Sequence, residues 1–222
     1  MSTEAAPLSA RAGYALWAET WDDSGSPLVA LEERYLAPLL KGLHPRCALD
    51  IGCGTGRWTS RTGAFGLDSS SAMLSVARRK SELAGRLVEG DAALLPLASG
   101  IADLVLCTLT LGHVPNWAAA VGELSRILAP GGTLILSDFH PAAAAHGWRR
   151  TFRHEGRVYE LENHAYTVPQ LQHAAAGLKL QDCVDATFGP PERRWFARVG
   201  REDLFEAACA IPAVLLTRWT RV

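Results

Sequence analysis

The chain has 222 residues, 48% hydrophobic and 20% charged, with a formal net charge of −1. That length suits a single α/β domain with a full core, and the near-neutral balance supplies no field for nucleic acid or an acidic membrane surface. No apolar run is long enough to span a bilayer, and the five scattered cysteines (Cys47, Cys53, Cys107, Cys183, Cys209) hold no C-x-x-C pair, which argues against a disulfide framework or a metal site such as zinc and fits a reducing cytoplasm.

Residues 10–24 are predicted helical, with Tyr14, Trp17 and Trp21 on one face. Pro27 opens a second helix, from about Leu28 to Leu40. Cys47–Ile51 is an apolar strand that runs at once into glycines on alternate positions, Gly52, Gly54 and Gly56, and then a short helix. Phe65–Leu67 is strand two, ending at Asp68. Ser69 or Ser70 can cap a helix over Ala72–Leu83, which the basic run Arg78 to Lys80 closes against its dipole. Arg86–Glu89 is strand three, ending at Asp91, and Asp103–Thr108 is strand four. A helix over Trp117–Leu128 stops at Ala129-Pro130-Gly131-Gly132, and Thr133–Asp138 is strand five.

Strands alternating with helices predict right-handed βαβ units and a doubly wound parallel sheet covered on both faces. After strand five the pattern changes. Trp148–Arg153 and Val158–His164 flank a turn at residues 154–157 and suggest a hairpin, followed by a helix over Thr167–Ala176. Lys179–Thr187 and Val214–Arg221 are the last strands, with a helix near Glu202–Ala210 between them.

The glycine run carries the chemistry. Dinucleotide-binding folds use G-x-G-x-x-G, whose third glycine would fall at Arg57. Here the spacing is G-x-G-x-G, with Asp50 two residues before it. A carboxylate there is awkward for a pyrophosphate but suits a ligand carrying an ammonium group. The run resembles motif I of the class I S-adenosylmethionine (SAM) methyltransferases. Asp103 to His113, followed by Leu124 to Leu134, is similar to the matching region of small-molecule methyltransferases. These include the ubiquinone/menaquinone-biosynthesis and malonyl-carrier-protein types, and the resemblance spans residues 45–140.

The resemblance implies a Rossmann-like methyltransferase fold with a seven-stranded, mostly parallel sheet. It divides one domain, residues 1–222, into an N-terminal helical lid (1–44), a SAM-binding core (45–140), an acceptor-side insertion (141–177) and C-terminal strands (178–222). It places the amino-acid end of SAM at Asp50 and the turn of Gly52, Cys53, Gly54 and Gly56. Asp68 and Ser69 fall at the ribose, and Asp91 with Ala92 at the adenine edge. Met73 packs on the adenine ring, Thr108 and Leu109 lie beside the methionine end, and Tyr14 reaches over from the lid. Plainer roles stand beside these. Asp68 could be a helix cap, Asp91 a turn residue and the aromatic stripe simple packing.

Two histidines are candidates for acceptor chemistry. His140 follows strand five, so its side chain can face the reaction centre as a base, or order the loop before Pro141. His113 follows strand four and either lines the pocket or packs. His154, His164 and Tyr166 fit hairpin packing or surface, and Arg193, Arg194, Arg198 and Arg201 fit a solvated face better than an acidic-acceptor site. Strand four lacks the Asn/Asp-Pro-Pro-aromatic tetrapeptide that goes with methylation of base amino groups. The implied activity is in-line methyl transfer from SAM to oxygen or carbon of a small molecule, without metal, nucleic acid or membrane. The alternatives are a SAM-binding module without transferase activity and a nicotinamide-dependent oxidoreductase, which the missing third glycine disfavours.

Overall fold

The computed structural model describes residues 5–222. Its main sheet holds β1 (Ala48–Ile51), β2 (Phe65–Asp68), β3 (Leu87–Glu89), β4 (Ala102–Thr108), β5 (Leu128–Phe139), β6 (Leu178–Ala186) and β7 (Val214–Arg221). Their order is β3-β2-β1-β4-β5-β7-β6. The first five strands run parallel, and β7 enters antiparallel to both β5 and β6. Strand order reverses between β1 and β4, and such a switch opens a crevice at the carboxyl ends of the strands.

The central strands are largely apolar because helices cover both faces. On one face, Leu36 of helix Pro27–Leu40 packs with Trp58, Leu104, Leu106 and Ile135. On the other, Val121, Leu124 and Ile127 of helix Trp117–Ile127 meet Leu49, Ile51 and Val105. The short gap between Gly56 and Asp68 holds a helix of only six residues, Arg57–Thr62.

Several elements depart from the predicted boundaries; the helix predicted over residues 10–24 is α-helical only over Ala10–Trp17, with a 3-10 turn at Ala18–Thr20. The helix after β2 spans Ser71–Ala77, capped by Ser70, and does not continue to Leu83. Its basic run serves the N-terminal segment: Arg79 pairs with Glu19 at 2.6 Å, and Lys80 pairs with Asp22 at 2.8 Å. Helix Trp117–Ile127 passes directly into β5, so Ala129 to Gly132 lie on the strand, where pairing with β4 is irregular. An additional helix, Arg193–Arg198, follows Pro190 and Pro191.

The insertion after β5 contains the expected hairpin, with strands Thr151–His154 and Arg157–Leu161. Glu155 and Gly156 both hold positive φ, 47° and 76°, the geometry of a two-residue turn matched to strand twist. A third strand was not foreseen: Ala6–Leu8 pairs parallel with Arg157–Leu161. It ties the N-terminal segment to the insertion. Trp17 stacks on Phe152 with centroids 4.6 Å apart, and Leu161 completes a small aromatic core of this cover. The stripe of Tyr14, Trp17 and Trp21 is therefore mainly packing, since all three rings contact one another.

Candidate active site

The glycine turn must leave a buried strand and reverse into a helix within five residues. Gly52, Gly54 and Gly56 hold φ of 75°, 56° and 84°, a region in which a Cβ is penalised. Space also restricts Gly52, where a Cβ would fall 2.1 Å from the Thr110 side chain. The amides of Gly52 and Cys53 donate to the Leu67 carbonyl, that of Gly54 to Asp68, and that of Gly56 to the Cys53 carbonyl. The turn thus presents carbonyl oxygens and a bare surface, with those four N–H groups already committed.

A cavity of about 480 Å³ opens above this turn. It is lined by Tyr14, Asp50, Gly52, Cys53, Gly54, Asp68, Ser69, Met73, Asp91, Ala92, Thr108 and Leu109, together with Arg57 and His113. Gly56 is not among its lining residues. It starts helix Arg57–Thr62, and a Cβ there would meet Leu83 at 2.3 Å, so its work is packing.

Charge within the cavity is arranged by burial. Asp50 is 1% exposed, and its Oδ2 accepts from Thr59 Oγ1 at 2.6 Å, while Oδ1 has no hydrogen-bond partner. Burial pushes its pKa up to about 6, against the lowering effect of Thr59 and Arg57. Arg57 donates from Nη2 to the buried Glu32 at 2.7 Å, while its own Nη1 is buried and unpartnered. Asp50 and Arg57, each with one buried atom that lacks a hydrogen bond, both line this cavity, and Glu33 lies 3.9 Å from Arg57 Nη1. Arg57 was legible in the sequence only as a missing glycine; its partner Glu32 stands 25 residues away, on another helix.

Asp68 closes β2 with Oδ2 accepting from the Gly54 amide and Oδ1 from the Ser70 amide, both at 2.8 Å. It is not the helix cap, which is Ser70. Burial raises its pKa, opposed by those amides. Each carboxylate oxygen keeps a second lone pair free for a hydroxyl donor. Asp91 accepts from the Ala93 amide at 2.8 Å in a turn at the cavity edge. Met73 is 3% exposed and lies under Gly54. At the end of β4, Leu109 holds φ of 51°, a conformation costing a branched residue roughly 1–3 kcal/mol.

The two histidines part company. His113 lines the cavity, with Nδ1 2.7 Å from the Glu162 carbonyl and Nε2 3.0 Å from Tyr14 Oη. The carbonyl only accepts, so Nδ1 carries the proton and Nε2 accepts from Tyr14. Burial, then Arg150, hold His113 neutral, with a pKa of about 3, and burial pushes Tyr14 up to about 12. His140 does not face the cavity. It caps helix Pro141–Ala145, its Nδ1 accepting from the Ala142 amide at 2.9 Å and its Nε2 meeting Asp185 at 3.0 Å. Pro141 opens that helix, and the ring reaches β6, which carries Asp185. Tyr166 is fully buried, donating to Asp138 at 2.9 Å. Arg193 pairs with Glu202 and Glu206 on the surface, as a solvated face does.

Residues 49–136 match the family described as a methyltransferase domain. A demethylmenaquinone methyltransferase from Thermus thermophilus is 37% identical over 107 residues, 44% of this chain and 49% of the relative. A malonyl-[acyl-carrier protein] O-methyltransferase from Pectobacterium atrosepticum is 34% identical over 145 residues, 62% of this chain and 54% of the relative. The chain spans about half the length of the curated relatives it matches. Among solved structures, a SAM-dependent methyltransferase from Mesorhizobium loti superposes with a TM-score of 0.65 at 25% identity, covering 88% of this chain and all of that one.

The Mesorhizobium loti neighbour is SAM-dependent, and the cavity of this chain fits SAM on its own chemistry. An unpartnered carboxylate oxygen and an unpartnered guanidinium nitrogen suit a zwitterionic amino acid. A buried carboxylate at the end of β2 suits a ribose diol, the place such a residue occupies in doubly wound folds. No helix among the described residues is long and apolar enough to cross a membrane.

Proposed function

We propose that the protein transfers the methyl group of SAM to oxygen or carbon of a small molecule, in a cytoplasmic setting. The observation that carries this is the pair of oppositely charged side chains lining one cavity, Asp50 and Arg57, each with a buried atom that lacks a hydrogen bond. SAM supplies an electrophilic methyl group on a sulfonium. Asp50 takes the ammonium end and Arg57 the carboxylate end. Asp68 accepts from the ribose hydroxyls, Asp91 and Ala92 meet the adenine edge, and Met73 packs against its ring.

The protein's contribution to an in-line displacement is alignment and exclusion of water, and oriented reactions gain about 7–11 kcal/mol from alignment. Tyr14 and Trp21 close the cavity from the N-terminal side. His113 is held neutral with its Nε2 lone pair facing the Tyr14 hydroxyl. It serves to position Tyr14, and no proton is routed through it. Calorimetric titration with S-adenosylhomocysteine tests the donor assignment: Asp68→Ala is expected to lose measurable affinity, and unchanged affinity refutes the ribose role. Protection from thermal unfolding by S-adenosylhomocysteine but not by NAD separates this from an oxidoreductase. Label transfer from SAM to a panel of phenols, quinols and carboxylic acids separates a transferase from a silent SAM-binding module.

A further inference from the structure

A second cavity, of about 540 Å³, lies between the end of β5 and the insertion, lined by Phe139, Trp148, Arg150, Asn163 and His164 among others. Arg150 stands out in its wall. The side chain is 8% exposed, and its Nη1 has no hydrogen-bond partner. Its nearest carboxylate is that of Asp138, at 4.0 Å, beyond hydrogen-bond reach. Asp138 is already engaged: Oδ2 accepts from the Gly112 amide at 2.6 Å and from Tyr166 at 2.9 Å, and Oδ1 accepts from the Phe139 amide at 2.7 Å.

The other end of the guanidinium is committed in a directional chain. Arg150 Nη2 donates to Tyr14 Oη at 3.4 Å, Tyr14 donates to His113 Nε2 at 3.0 Å, and His113 Nδ1 donates to the Glu162 carbonyl at 2.7 Å. Tyr14 and His113 each accept and donate and the Glu162 carbonyl only accepts, whereas at the head of the chain Nη1 keeps N–H groups with nothing to receive them. The acidic side chains of the cavity do not fill the gap. Glu160 lies 3.6 Å from Arg149, and Glu162 is exposed, so neither pairs with Arg150. Tyr14 and Glu162 carry the chain to the SAM-side cavity, so the guanidinium stands in the partition between the two spaces.

A buried guanidinium with unmet donors calls for a planar anion, and a carboxylate matches its fork. We propose that Arg150 binds a carboxylate of the methyl acceptor, whose body occupies the second cavity against Phe139 and Trp148. This rests on the methyltransferase reading, because only with the donor in the first cavity is the second an acceptor site. Asn163 Oδ1, also buried and unpartnered in the same wall, provides an acceptor for a hydroxyl or amide on that body.

The test uses matched pairs: acetate, benzoate and phenylacetate against acetamide, benzamide and phenylacetamide, titrated into the full-length protein with and without S-adenosylhomocysteine. At least one carboxylate is expected to bind ten-fold or more tightly than its amide. Arg150→Gln is expected to abolish that preference while changing S-adenosylhomocysteine affinity less than three-fold. Arg150→Lys, which keeps the charge but loses the fork, is expected to retain a reduced preference. The wild-type comparison needs no variant to fold, so equal binding of every pair, or binding of none, overturns the proposal. Carboxylate preference without any S-adenosylhomocysteine binding would instead overturn the donor assignment and leave Arg150 as an anion site.

Discussion

The donor side and the cover of this molecule are built by different rules. Apart from Tyr14, every residue proposed to hold SAM lies between Asp50 and Leu109, at the ends of parallel strands or on the turns and short helices that follow them. The cover instead joins Ala6 to Trp21 with the insertion, segments more than a hundred residues apart, through a parallel strand pair and an aromatic cluster. The donor side is specified by local backbone chemistry, and the cover by long-range packing. Damage to the first should remove binding outright, whereas damage to the second should loosen the protein and leave the donor in place.

The largest effect is expected at Gly52. Gly52→Ala must accept a left-handed φ and a 2.1 Å approach to Thr110, and it should cost about 4 kcal/mol, from strain and overpacking together. Chemical denaturation and S-adenosylhomocysteine calorimetry should show a less stable protein that no longer binds. A variant with wild-type affinity would show that the turn tolerates a side chain and break the comparison at its strongest point. Trp17→Ala removes a ring buried against Phe152 and should cost about 3 kcal/mol in stability. Its donor affinity should fall by less than ten-fold; complete loss would mean that the cover, and not the glycine turn, holds SAM.

Asp50 gives a test in pH. Its carboxyl titrates near 6 in the folded protein because of burial, against about 3.9 in an unfolded chain. The native state therefore keeps a proton that the unfolded chain has released. The associated stability, about 3 kcal/mol by linkage, is complete below about pH 4 and lost as pH rises through 6. Asp50→Asn should flatten that part of the stability profile measured by denaturation. In the wild type, S-adenosylhomocysteine should bind more tightly as pH rises from 5 to 7, since its ammonium group favours the charged carboxylate; a flat profile would remove Asp50 from the ligand. The smallest effect is expected at His140. His140→Ala loses a helix cap, worth about 1 kcal/mol, and should leave turnover unchanged; a large loss of turnover would restore a role at the reaction centre.

The amino-acid sequence by itself determined the order of the main-sheet strands and the helices between β1 and β5, the glycine turn, and the carboxylates Asp68 and Asp91. These features follow from backbone geometry over a few residues, where an apolar run, a glycine or a capping serine has one economical conformation. Only the tertiary structure decided that His140 turns away toward Asp185, that Arg57 is a charge held by Glu32, and that Arg79 and Lys80 clip the N-terminal segment. The Ala6–Leu8 strand and the chain from Arg150 through Tyr14 to His113 were equally invisible. Each depends on partners far apart in sequence, and burial sets the charge state of such groups through the neighbours that packing brings together.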